Sequence, residues 1–235
     1  GLQAQLQSQH LDIVPPGDGS ETIAVRPVST SLAGSLADAQ LTLRGRGEQG
    51  ERRVELELQA RGGQDRAGVQ QLEVGQLVLS LQDPALDLGR VELSNGGKLQ
   101  LTRNTGGNGA LEAASGALLV RSLQPEHTAT LRWDHLRWHA GRLETSGNLS
   151  GVPFVWLEAV AGDTLKTAGV TGDVILSGDW DVTLADSLRM MANLQRESGD
   201  LSFRATDSAT GVSSQVATGL RDARVQLRGE GRRVE

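Results

Sequence analysis

The chain has 235 residues and a formal net charge of −6, with acidic and basic side chains mixed along its length. Because no basic stripe occurs, a nucleic-acid-binding surface is not expected. Because there is no cysteine, disulfide frameworks and thiolate chemistry are excluded. The longest apolar run, residues 152–157, is far shorter than a membrane-spanning helix requires.

Apolar and polar residues alternate with a period of two through most of the chain. Residues 54–60, for example, read Val, Glu, Leu, Glu, Leu, Gln and Ala. Such alternation places the apolar side chains of a strand on one face of a sheet. Turn signals separate the runs at residues 45–47, 62–63, 95–97, 106–109 and 198–200. Their short spacing predicts antiparallel neighbours, and therefore an all-β fold with residues 1–235 as one unit.

The segment VPFVWLEAVAGD, residues 152–163, departs from this alternation. Its apolar residues cluster at helix-like spacing, with Pro153 where a helix can begin and Gly162 where it can end. The sequence predicts one short helix over about 153–161.

A partial repeat supports a modular sheet. Residues 36–47, LADAQLTLRGRG, align with residues 220–231, LRDARVQLRGEG, and seven of the twelve positions are identical. The letters RRVE follow both copies, after a gap in the first. The repeat predicts that one strand–turn–strand unit occurs twice, as in extended repetitive β-proteins. The chain begins without methionine and ends without a turn signal, and we interpret it as an internal piece of a longer protein.

Two motifs match the patterns of known binding sites, but the residues around them favour a purely structural role. GRGEQG, residues 45–50, matches the dinucleotide-binding pattern, which needs a helix after it. The residues that follow alternate as a strand, so a hairpin is predicted.

In WDHLRWH, His135 and His139 beside Asp134 would share a zinc ion on a helix. The alternating pattern around them predicts strand pieces with a bulge or turn between them, and solvated histidines.

The segment GDWDVTLADSLRMMANLQRESGDLSF, residues 178–203, carries carboxylates whose spacing could suit a site. Asp179, Asp181, Glu197 and Asp200 fit either an acid/base or metal site, or the solvated side of a meander. Asp179 and Asp181 alternate with Trp180, which favours the second interpretation. We predict no catalytic residues, no metal and no cofactor.

Three stretches of this region resemble the TamB family, the inner-membrane component of the translocation and assembly module, in the AsmA-like group of bridge-like lipid transfer proteins. They are VPFVWLEAVAGD, LSGDWDVTL and LQRESGDLSF, all within residues 152–203. Over residues 36–149 the resemblance rests on the repeated leucine-alternating strands alone.

The resemblance implies an elongated β-taco, a sheet folded over into an open groove with an apolar interior. It implies a periplasmic location, an inner-membrane anchor outside this chain and an outer-membrane barrel partner of the TamA type. The implied role is phospholipid transport between the two membranes in outer membrane biogenesis. The alternative is a scaffold for outer-membrane protein (autotransporter) assembly and secretion, by strand augmentation.

Two further alternatives are open. A β-sandwich would pack the leucine faces against each other in a closed core, and a carbohydrate-active β-helix would use aromatic platforms, which six aromatic residues supply poorly. The predicted groove lining consists of Leu41, Leu43, Val54, Leu56, Leu58, Leu77, Leu79, Leu81, Leu99, Leu101, Leu131, Val174, Leu176, Trp180, Val182, Leu184, Leu194, Leu201, Phe203, Val225 and Leu227.

Overall fold

The computed structural model of the chain describes residues 1–8, 11–13, 23–86, 88–104, 110–161, 170–185, 187–206, 213–231 and 233–234. The strands are β1 Leu2–Ser8, β2 Leu11–Ile13, β3 Ile23–Gly34, β4 Ala39–Gln49, β5 Arg52–Gln64, β6 Val69–Gln82, β7 Arg90–Asn95, β8 Leu99–Asn104, β9 Leu111–Ala113, β10 Gly116–Leu123, β11 Glu126–His139, β12 Arg142–Pro153, β13 Val170–Gly172, β14 Ile175–Leu184, β15 Leu188–Ser198, β16 Leu201–Thr206, β17 Ser213–Ala217, β18 Arg224–Gly231 and β19 Arg233–Val234. The helix α1 spans Phe154–Ala161, and a 3-10 turn spans Pro84–Leu86. The predicted all-β fold with one short helix is confirmed.

One large antiparallel sheet contains most of the strands. Its order is β1, β3, β4, β5, β6, β7, β10, β11, β12, β14, β15, β18 and β19, with β2, β8 and β9 paired beside this path. Each strand therefore lies next to a strand close to it in sequence, as the short spacing of the turn signals predicts. The helix α1 and β13 lie between β12 and β14 in the chain, and β16 and β17 lie between β15 and β18.

The strands β7 and β8 are two parts of one line rather than a hairpin. Both pair with β6, through Val78 opposite Ser94 and Val74 opposite Leu99. The strands β9 and β10 both pair with β11 in the same manner. The turn predicted at residues 95–97 is therefore wrong, because these residues interrupt a strand without reversing it. The turn predicted at 106–109 lies outside the described residues.

The glycines at 45–47 and 62–63 also lie inside strands, and the chain reverses a few residues after each pair. At Gly62 and Gly63, close approach of the neighbouring backbone explains why no side chain is present. A Cβ at Gly62 would lie 2.6 Å from the carbonyl oxygen of Gln71, and one at Gly63 would lie 2.9 Å from the nitrogen of Asp38. Glycine is used both in tight turns and where two backbones approach closely, because it has no side chain. The sequence alone does not distinguish these two uses.

The remaining local predictions agree with the structure. GRGEQG forms the end of β4 and the turn into β5, so the hairpin is confirmed. The helix predicted over 153–161 corresponds to α1, and its predicted terminator, Gly162, lies outside the described residues. In both repeat copies the repeated segment forms a strand that pairs antiparallel with the strand after it, β4 with β5 in the first copy and β18 with β19 in the second.

A second sheet is formed by β13, β16 and β17. It is built from the segments inserted before β14 and before β18. Val170 lies opposite Phe203, which lies opposite Val216. Phe203 and Val216 are exposed over 44% and 51% of their surfaces.

Candidate functional site

Most apolar residues of the large sheet share one face, whereas Val78, Leu119 and Met191 lie on the other. Leu79 of β6 lies opposite Leu56 of β5 and Leu93 of β7, and the row continues through Val120 to Ala129. We call this surface the apolar face. Of the predicted lining, the register places on it Leu41, Leu43, Val54, Leu56, Leu58, Leu77, Leu79, Leu81, Leu99, Leu101, Leu131, Leu176, Trp180, Val182, Leu184, Leu194, Val225 and Leu227.

Three predicted residues lie elsewhere. Leu201 and Phe203 belong to β16 in the three-stranded sheet, so they are not on the apolar face of the large sheet. Val174 precedes β14 outside any strand and is only 2% exposed. Its carbonyl oxygen accepts the N–H of Phe154, at the start of α1, at 2.8 Å.

The register adds residues to this face that the prediction did not include. Leu118 lies opposite Leu131, and Val120 opposite Leu93. Their segment reads Ala, Leu, Leu, Val, where alternation gives no signal. Met190 lies opposite Val182 and belongs to the face as well.

Much of the apolar face is only half-buried. Among the described residues the buried apolar positions are Ala60, Val74, Leu88, Ala113, Ala129 and Val174, together with Pro153. The chain exposes 15610 Å², whereas a compact protein of 24.9 kDa exposes about 10,200 Å². A closed sandwich core would bury many of these leucines, so this burial pattern speaks against it.

A line of irregular pairing crosses the apolar face from β6 to β11, and we call it the crease. It consists of Gly75 in β6, residues 95–98 from the end of β7 to the residue before β8, residues 114–115 between β9 and β10, and Asp134 in β11. A bulge bends its strand, and bulges aligned over neighbouring strands bend the whole sheet along their line. The crease runs across the strands and divides each into two parts.

Burial follows the crease. Ala60, Val74 and Ala113, next to it on the apolar face, are 6–7% exposed. Trp138 and Leu184, at the strand ends near the β11–β12 and β14–β15 turns, are 49% and 45% exposed. At these three positions beside the crease the apolar face is therefore protected, whereas it is open towards the strand ends at Trp138 and Leu184.

At the opposite strand ends, α1 covers part of the apolar face. Ser122 of β10 is fully buried, and its hydroxyl donates to the carbonyl oxygen of Pro125 at 2.7 Å. The indole Nε1 of Trp156 donates to the same hydroxyl oxygen at 3.0 Å. Although α1 follows β12, this bond joins its Trp156 side chain to β10, two strands away.

The other face of the large sheet carries ion pairs. Glu55 accepts from Arg46 and, at 3.1 Å, from Arg90. Lys98 pairs with Glu73 at 2.8 Å, and this pairing lowers the pKa of Glu73. These groups are partly or largely exposed, so each pair stabilises the fold little. Their arrangement keeps one face hydrated while the other stays apolar.

The four carboxylates considered above in residues 178–203, Asp179, Asp181, Glu197 and Asp200, do not converge on one point. Asp179 accepts from the amide of Asn193 at 2.7 Å. Glu197 accepts the N–H of Gly151 at 3.3 Å, while Asp181 is exposed on the polar face.

Asp200 has a structural role between the two sheets. Its carboxylate accepts from the hydroxyl of Thr218 at 2.6 Å and from the N–H groups of Gly219 and Leu220 at 2.9 Å. The hydrogen bond from Thr218, followed by those from the backbone, lowers the pKa of Asp200 to about 2. Through these hydrogen bonds the Asp200 carboxylate holds the segment after β17 against the start of β16.

The histidines lie on a strand, as predicted. His135 and His139 both belong to β11, which carries a bulge between Trp133 and His135. The Nδ1 of His135 lies 3.1 Å from the hydroxyl of Ser146. Within the described residues, no group of three or more His, Asp or Glu side chains is placed to hold a metal ion.

Comparison of the chain with protein-family models, with curated proteins and with solved structures finds no match. None of the helices in the described part of the chain has the length and apolar character needed to span a membrane.

Proposed function

We propose that the chain is a non-enzymatic segment of a periplasmic lipid bridge, whose apolar face carries the acyl chains of phospholipids between the inner and outer membranes. The observation that carries the proposal is a continuous, leucine-lined face that remains half-exposed across the large sheet. Each acyl CH₂ group that leaves water gains about 0.8 kcal/mol. A partly lined surface of this size therefore retains lipid tails without enclosing them.

The crease supports the groove form of the proposal. A sheet bent along a line across its strands becomes a trough whose length runs from strand to strand. Burial at Ala60, Val74 and Ala113 fits the floor of such a trough, and the exposure of Trp138 and Leu184 fits its rim. The hydrated opposite face fits the outer wall.

The resemblance to the TamB family supports the setting. Under the proposal, an inner-membrane anchor and the contact with a barrel of the TamA type belong to parts of the protein outside this chain. The groove acts by position and polarity alone, so no residue has a catalytic role.

Native mass spectrometry of the purified chain tests the proposal, with co-purifying phospholipid as the expected result. Leu79→Arg and Leu101→Arg place a charge on the apolar face, where both leucines are half-buried. In an open groove the guanidinium stays hydrated, so folding survives while bound lipid is lost. Gln100→Arg, on the opposite face of the same strand as Leu101, is the matched control and should retain lipid.

Three outcomes would contradict the proposal. Unfolding of both leucine variants would indicate a closed core, because an unpaired charge buried there is strongly destabilising. Intact folding with unchanged lipid would remove the conduit altogether. Absence of phospholipid from the unmodified chain, with capture of extended outer-membrane strands, would favour the assembly scaffold.

A further inference from the structure

The side chain of Asn95 bridges β6 and the break between β7 and β8. Its Nδ2 donates to the carbonyl oxygens of Gly75 at 3.0 Å and Gly97 at 2.6 Å. Its Oδ1 accepts the N–H of Leu77 at 2.7 Å. One amide group therefore makes the contacts that backbone groups make elsewhere in this ladder.

Unequal numbers of residues in the two facing segments explain why the amide of Asn95 is needed at this break. Regular pairing of β6 stops at Val78 opposite Ser94 and resumes at Val74 opposite Leu99. Between these pairs, residues 75–77 of β6 face residues 95–98, which are one more. An extra residue takes backbone donors and acceptors out of the ladder, and groups of this kind need other partners.

Other hydrogen bonds along the crease also replace regular hydrogen bonds of the ladder. The N–H of Gly96 donates to the carbonyl oxygen of Ala117 at 2.9 Å, and that of Ala114 to Gln100 at 3.0 Å. The indole of Trp133 donates to the carbonyl oxygen of Ala114 at 2.7 Å. Among these contacts, Asn95 is the side chain that joins the two strands where the crease begins.

We propose that Asn95 is a positioning residue that sets the bend of the large sheet at the crease, and with it the width of the space above the apolar face. Its three bonds fix Gly75, Leu77 and Gly97 relative to one another. The two parts of β6 that meet at Gly75 can therefore adopt one angle only. The consequence for lipid rests on the proposed function, whereas the bend itself does not.

Distances across the crease test this inference. Because the chain has no cysteine, Ala67→Cys and Ala85→Cys together supply two labelling sites, exposed and at opposite ends of β6. Spin labels there report the bend by double electron–electron resonance. The 14 residues of β6 would span about 45 Å if the strand were straight.

Asn95→Ala should lengthen and broaden this distance towards the straight-strand limit. Asn95→Asp keeps the acceptor for Leu77 but loses both donors, so it should give an intermediate distribution. Asn148→Ala, which removes an exposed asparagine from the polar face of β12, should leave the distance unchanged. Unfolding by chemical denaturant, measured alongside, separates a loss of stability from a change of shape.

Lipid binding separates the inference from the proposed function. With a fluorescent-tailed phosphatidylglycerol as probe, we expect Asn95→Ala to weaken binding at least tenfold while the chain stays folded. A changed distance without lipid binding by any variant, the unmodified chain included, would leave the positioning role standing and remove the conduit. An unchanged distance distribution in folded Asn95→Ala and Asn95→Asp would overturn the positioning role.

Discussion

The indole ring of Trp133 in β11 lies against Gly116 in β10. A Cβ added at Gly116 would come within 2.9 Å of the ring atoms Cε2 and Cη2. The arrangement recurs one strand further, where a Cβ at Gly147 would lie 2.6 Å from Cζ2 of Trp180. The register places these four residues in one row of the apolar face. Each ring therefore occupies the space that a glycine leaves open.

Gly116→Ala should displace the Trp133 ring and destabilise the fold by about 1–3 kcal/mol, the usual cost of overpacking. The displaced ring also loses its bond to the carbonyl oxygen of Ala114. Urea denaturation gives the change in free energy of unfolding, and near-ultraviolet circular dichroism reports the ring environment. Gly97→Ala is the control, since nothing lies within 4 Å of a Cβ there, and it should change stability by less than about 0.5 kcal/mol. Equal effects of the two substitutions would contradict the ring contact.

Alternation predicted the apolar face well wherever the ladder is regular. Val54, Leu56 and Leu58 occupy the same face because no bulge falls between them. The pattern fails at the crease. Leu77 and Val74 are three residues apart and still share a face, because the bulge at Gly75 adds one residue to β6.

Pairing between strands distant in sequence determines whether a glycine pair forms a turn and to which sheet a strand belongs. Local sequence patterns do not determine either. The glycines at 96 and 97 read as a turn, yet β7 and β8 both continue along β6. Leu201 and Phe203 alternate like every other strand of the chain, but β16 pairs with β13 and β17. A period of two identifies the face of a strand, not the sheet to which the strand belongs.

Breaking the hydrogen bond between Trp156 and Ser122 should destabilise the fold mainly because it leaves the indole N–H without an acceptor. Ser122→Ala leaves the half-buried indole N–H of Trp156 without its acceptor, which costs up to about 1–3 kcal/mol. Adding Trp156→Phe removes the donor, so the double variant should lose less than the sum of the two single variants. A double-mutant cycle of unfolding free energies measures this coupling. Strict additivity would show that the helix is held by packing alone.

Ion pairs on the polar face should contribute little to folding. Glu55→Gln removes the charge that Arg46 and Arg90 share, but all three groups are partly exposed. We expect a loss below about 1 kcal/mol that shrinks further in high salt. Thermal unfolding at low and high salt concentration provides the measurement. A loss of several kcal/mol would mean that this face is covered in solution.

The carboxylate of Asp200 should titrate well below the ordinary range of an aspartate. The hydroxyl of Thr218 is the largest cause of its lowered pKa, ahead of the N–H groups of Leu220 and Gly219. Thr218→Val keeps the shape of the side chain and removes the hydroxyl, so the pKa should rise from about 2 towards 3.8. Nuclear magnetic resonance of the carboxyl carbon follows the titration. Ser214→Ala, at an exposed position in β17, is the control and should leave the pKa unchanged.

The same shift determines how Asp200 affects stability with pH. Since its pKa is lower in the folded than in the unfolded chain, the ionised carboxylate stabilises the fold above about pH 4. This contribution is lost as the pH falls from about 4 towards 2, where the folded carboxylate takes up its proton. Asp200→Asn cannot titrate, so its deficit relative to the unmodified chain should be constant near neutral pH and shrink below pH 4. Unfolding free energies of both proteins between pH 2 and 7 give this difference directly. A deficit that stays constant down to pH 2 would mean that the carboxylate charge does not hold the segment after β17 in place.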